Sequence, residues 1–190
     1  MKRKVILATI AGILAVGSVY LYASDQTEEI EESREPVVEQ IEEVVAVSSE
    51  AEAEQVENTA IVHEIISNAH NLLNNITGYG SHQKYQDSNS AEWDKIKKGL
   101  HSEANQVEKA LEFADEAVKE DLENFVHITR YAADSHDHTA LLYSHRIIHD
   151  VDTIYNDKQK KTFNAARISS WSGSAKRTVE NLLNHAGSDE

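Results

Sequence analysis

Apolar positions recur at helical spacing through most of the chain beyond residue 58, and short alternating runs of the kind a strand requires are nearly absent. Over residues 59–77, Ile61, Ile65, Ala69, Leu72 and Ile76 share one face, with Val62, Ile66 and Leu73 beside them. Asn58 or Thr59 can cap the start of this helix, and Gly78-Tyr79-Gly80 stops it. A polar turn follows, and Asn89-Ser90-Ala91-Glu92 resembles a capping arrangement for a second helix. Trp93, Ile96, Leu100, Ala104, Val107, Leu111, Ala114 and Val118 then step by three and four, and Leu122, Phe125 and Ile128 carry the pattern to about Ala133. Helices of that length are uncommon in globular domains, so a break is expected near Lys119–Asp121.

The next stretch, Asp134 to Asn156, organises the rest. At 100° per residue, Ala140, Leu141, Ile147, Ile148, Val151, Ile154 and Tyr155 fall on one broad arc, as a core-facing helix requires. His138, His145, His149, Asp152 and Asn156 form a stripe along one border of that arc. Arg146, Asp150 and Thr153 face elsewhere, which predicts contact with water and an Arg146–Asp150 surface pair. Ser135 or Asp137 can cap this helix. A final short helix behind Ser174 carries Val179, Leu182 and Leu183 and closes at Ala186-Gly187. Four or five helices with short turns predict an all-α, up-and-down bundle over residues 58–190, and no repeat of about 34 residues is visible.

The N-terminal third has a different character. Lys2, Arg3 and Lys4 precede nineteen uncharged residues, Val5 to Ala23. As a helix they reach about 28 Å, close to the thickness of a bilayer core. Residues 1–24 thus read as a membrane anchor with a cytoplasmic N-terminus and everything after it outside. Cleavage near Ala23, giving a secreted chain, is the alternative. Residues 25–57 hold thirteen acids against Arg34, most of the chain's net charge of −15. Such a run repels itself, so an extended, disordered stalk is expected. Val37, Val38, Ile41, Val44 and Val45 behind Pro36 give it a helix-like spacing as the alternative.

Composition narrows the chemistry. The absence of cysteine excludes disulfides, thiolate metal sites and cysteine nucleophiles. No serine-nucleophile motif, phosphate-binding glycine loop, dinucleotide fingerprint or EF-hand loop is present, which favours binding over catalysis. His145 and His149, at i and i+4, can share a divalent ion such as zinc, with Asp152 as a further ligand or as the hydrogen-bond partner that orients His149. Arg146 stands where a zinc protease needs its glutamate, so that mechanism is excluded. His138 lies about 10.5 Å from His145 along the axis, too far for one ion. Completing a site needs a ligand from another helix, with His63, Glu64, His70, His101, Glu103, Glu108 and His127 as candidates. Half-buried histidines also serve as plain helix–helix contacts, and both readings stay open at this point.

Two further groupings stand out. Asp134, His136, Asp137 and His138 concentrate ligand types in one turn, although aspartates there are also ordinary caps. Lys158, Lys160, Lys161, Arg167, Lys176 and Arg177 lie in a stretch with no acid, interleaved with Phe163 and Trp171. That asymmetry in an acidic chain suggests docking of an anionic surface polymer, headgroup or protein. It does not suggest nucleic acid, given the compartment and the lack of a recognition motif. Taken together, the sequence leads to a membrane-anchored, extracytoplasmic helical binding protein, with a divalent-metal-binding protein as the competing reading.

Overall fold

The structure is a computed structural model that describes residues 35–187, with side chains from residue 53 onward. The proposed membrane segment, residues 5–23, and the first part of the acidic region lie outside the described residues. The chain divides into two units at Ser48/Ser49, and the second carries all that follows. No helix of the described residues is long and apolar enough to cross a membrane.

Five helices and no strand are found among the described residues: α1 (Glu35–Thr77), α2 (Glu92–Ala110), α3 (Glu116–Ser135), α4 (His138–Tyr155) and α5 (Gly173–Ala186). Short 3-10 segments, Gly78–Tyr85 and Arg167–Ser169, lie in the connections. The expected extended stalk is corrected from Glu35 onward, where α1 already runs. Pro36 sits in the first turn, where its missing N–H costs nothing, and good helix formers (Glu, Gln and Ala) follow. The boundary expected at residue 58 is therefore interior to a helix.

The other element limits follow from local chemistry. Helix α1 ends where Tyr79 and Gly80 adopt left-handed backbone, φ 51° and 82°. The break in the long apolar run falls at Leu111–Asp115, earlier than the expected 119–121. Asp115 is extended there, and its carboxylate accepts a 2.7 Å hydrogen bond from the Tyr155 hydroxyl of α4. Between α3 and α4 the turn is two residues, left-handed His136 and then Asp137, whose side chain caps Ala140 N–H at 2.7 Å.

Contacts fix how the helices run. His101 and Arg130 tie α2 to α3 through Asp134 and Glu108, low numbers against high, so the pair is antiparallel. Ser67 meets Asp152, and the His63 carbonyl accepts from Asn156, which makes α1 and α4 antiparallel as well. Helix α3 packs against α2, α4 and α5 and supplies fully buried Val118, Leu122, Phe125 and Ile128. Burying each such side chain contributes about 1.5–3 kcal/mol before entropy is counted. Trp93 closes one end: it is fully buried, stacks on the His136 ring at 5.2 Å, and donates its indole N–H to the Asp87 carbonyl at 3.2 Å.

Candidate metal centre

The polar stripe of α4 faces a matching stripe on α1. There His63, Ser67 and His70 border the buried line of Val62, Ile66, Ala69 and Leu73. The antiparallel register sets His70 against His145 and His149. Each of the three rings offers a nitrogen, and those atoms all lie within 4.8 Å of one another. His70 is almost fully buried, and the other two are half-buried. Of the candidates for a ligand from a second helix, His70 is the one the fold delivers.

Hydrogen bonds at the outer edge of the cluster fix which nitrogens are free. The His70 Nδ1–H donates to Asp152 Oδ2 at 2.6 Å, and the His149 Nε2–H donates to the Lys161 carbonyl at 3.0 Å. A carboxylate and a carbonyl can only accept, so in the neutral rings both remaining nitrogens carry lone pairs. Those two atoms, His70 Nε2 and His149 Nδ1, face each other at 3.1 Å. The third member, His145 Nε2, is buried and has no hydrogen-bond partner among the described residues. Burial, with His70, His149, Arg146 and Lys160 around it, pushes this imidazole down to about 4, so it is neutral near neutral pH. The arrangement brings three imidazole nitrogens together at the junction of α1 and α4, one of them buried without a hydrogen-bond partner among the described residues. Unpartnered, such a cluster is unfavourable. Around a divalent ion, with metal–nitrogen bonds near 2.0–2.1 Å, ligand nitrogens stand about 3.3 Å apart, close to the spacing His70 and His149 already have.

Asp152 sits behind this cluster, not in it. The expectation that it orients His149 is corrected: its hydrogen bond goes to His70. It is fully buried, and it also accepts from Ser67 Oγ at 3.0 Å, Asn156 Nδ2 at 2.6 Å and Lys158 Nζ at 2.6 Å. Burial alone would raise this carboxyl. The hydrogen bonds from His70, Lys158, Asn156 and Ser67 outweigh it and hold the group far below the usual carboxylate range. Metal-bound histidines almost always hand their second N–H to a carboxylate or carbonyl, and His70 and His149 do one each.

The loop that supplies the Lys161 carbonyl is pinned by a second aspartate. Asp150, expected on the water-facing side of α4 beside Arg146, is fully buried. Its carboxylate accepts from the backbone N–H of Phe163 at 2.6 Å and Ala165 at 2.7 Å, and from Ser169 Oγ at 2.8 Å. Arg146 instead lies over the rings of Tyr143 and Phe163. Asp121 of α3 holds the next turn through the N–H groups of Arg167 and Ile168 at 2.7 and 2.9 Å.

The other sequence groupings disperse. Asp134 pairs with Lys97 and His101, the His136 Nδ1–H donates to the Ser88 carbonyl, Asp137 is a cap, and His138 meets His82 at 3.1 Å. Those four residues therefore point to separate partners and make no single ligand set. Among the six basic residues, Lys158 is committed to Asp152, Arg167 to Glu120 and Lys176 to Glu180, while Lys160, Lys161 and Arg177 are exposed. Comparison of the chain with protein-family models, with curated proteins and with solved structures finds no match.

Proposed function

We propose that this chain is a divalent-metal-binding helical protein, with His70, His145 and His149 as ligands, held outside a membrane by residues 5–23. The observation that carries the metal reading is the convergence of three imidazole nitrogens, two of them on rings whose other nitrogen is engaged outward by Asp152 and by the Lys161 carbonyl. Imidazole ligands suit zinc, copper, nickel and iron, and a three-histidine set leaves a coordination position open, as in catalytic zinc sites. The membrane address rests on the basic tripeptide, the uncharged nineteen-residue run and the acidic segment after it.

Metal-free full chain titrated with zinc in a calorimeter is expected to take up one equivalent at micromolar affinity or tighter. His70→Ala, His145→Ala and His149→Ala each abolish that uptake, and Asp152→Asn weakens it about 10–100-fold by loosening His70. Full uptake by the His70→Ala chain, or none by the unaltered one, overturns the metal reading. A phosphatase reporter fused after residue 190 should be active outside the cell; activity confined to the cytoplasm overturns the address.

A further inference from the structure

Where α4 ends the chain turns back, and residues 158–163 run beside the three imidazoles as a strap. At its start the Lys158 N–H donates to the Thr153 carbonyl at 2.8 Å and its Nζ to Asp152 at 2.6 Å. At its end the Phe163 N–H donates to the buried Asp150 carboxylate, also at 2.6 Å, and the Phe163 ring centre lies 4.8 Å from that of His149. Between these anchors Gln159, Lys160 and Lys161 are exposed. Among the described residues, one hydrogen bond ties this middle part to the helices, from the His149 Nε2–H to the Lys161 carbonyl at 3.0 Å. The exposed middle of the strap therefore hangs on a ring whose other nitrogen, Nδ1, faces His70 Nε2 inside the cluster.

A neutral imidazole has two nitrogens and one proton. With the proton on Nε2, the His149 ring donates to Lys161 and keeps a lone pair on Nδ1. With the proton on Nδ1, it donates to His70 Nε2, 3.1 Å away, and sets a lone pair against the Lys161 carbonyl. A divalent ion on Nδ1 removes that choice: it fixes the ring and leaves Nε2 as the place for the proton. Coordination also draws charge out of the ring, which makes the remaining N–H a stronger donor. Building on the metal reading above, we infer that residues 158–163 are a metal-sensing strap, closed on the bundle by an ion at the three histidines and released at Lys160 and Lys161 when the ion leaves. Occupancy of the centre is thereby passed to an exposed basic segment. By linkage, a closed strap tightens the ion by the same factor as the ion tightens the strap.

The test is limited trypsin digestion of the full chain, metal-free and with zinc at a concentration that calorimetry shows to saturate it. Zinc is expected to slow cleavage after Lys160 and Lys161 about fivefold or more. Cleavage after the exposed Lys84, in the turn that follows α1, is expected to change by less than about twofold. Gln159→Gly combined with Thr162→Gly loosens the strap without altering a charge or a proposed ligand, and is expected to raise the zinc dissociation constant about fivefold. Zinc uptake with unchanged cleavage after Lys160 and Lys161 overturns this inference and leaves the metal site standing. Slowing of Lys84 by the same factor reports general stabilisation and also overturns it, as does normal zinc affinity in the double variant. Failure to take up zinc at all overturns the metal reading itself.

Discussion

Glu103 shows what an unpartnered buried group does to a single position. It lies in α2 at 8% exposure, and its Oε1 has no hydrogen-bond partner among the described residues. Burial raises its carboxyl above the ordinary value of 4.5. The folded state therefore holds this proton more tightly than the unfolded chain does, and stability contributed by the neutral form is lost as pH rises above 4.5. Glu103→Gln is expected to stabilise the protein near neutral pH by about 1 kcal/mol and to make no difference well below pH 4.5, measured by urea unfolding at the two extremes. The same physics, with opposite use, governs His145. A helical wheel could name His145 and His149, since their spacing is local. It could not choose His70, although the His63–Ser67–His70 stripe beside α1's apolar face carries the needed signal. That stripe gains meaning only once it is laid antiparallel against the stripe of α4.

Among the elements, the loop between α4 and α5 depends most on single side chains. Asp150 and Asp121 receive five backbone or hydroxyl donors from it in the hydrogen bonds described above, and these hold Lys161 and Phe163 against the histidines. Asp150→Asn leaves buried N–H groups facing an amide instead of a carboxylate. It is expected to lower stability by about 2–4 kcal/mol and to speed trypsin cleavage at Lys160 and Lys161, followed on a time course. Equal cleavage rates in the variant and the unaltered chain would show that the loop is held by other contacts. This element also marks where periodicity misleads. Arg146 and Asp150 stand at i and i+4 on the polar side of α4, so the wheel assigns both to water. The chain instead folds back over that side after Tyr155 and buries one of them, a long-range event with no local trace. Limits set by caps were more legible: Asp137 starts α4 and the Gly78–Gly80 stretch ends α1, as their chemistry requires. The break at Leu111–Asp115 was not legible, because no Gly or Pro marks it and the contact seen at Asp115 comes from Tyr155, forty positions away.

At the scale of the whole molecule, the histidine cluster ties the first described helix to the fourth. An ion that binds only the folded chain adds about 2.7 kcal/mol at a free concentration one hundred times its dissociation constant. Zinc is therefore expected to raise the thermal midpoint of the unaltered protein, as read by far-ultraviolet circular dichroism, and to leave that of the His70→Ala chain where it was. The all-helical class was legible because each helix writes its own 3.6-residue rhythm. How α1 meets α4 was not, because nothing near either helix in sequence encodes the pairing.

His70 and His149 are 79 positions apart, yet they share one cluster. Cut the backbone in the polar turn after α1, and two histidines remain on one piece while the third leaves with the other. On the proposed metal reading, zinc would then be the clasp between two polypeptides. The halves are expected to reassociate when the ion is supplied and to separate when a chelator removes it, as size-exclusion chromatography of the mixed pieces would show.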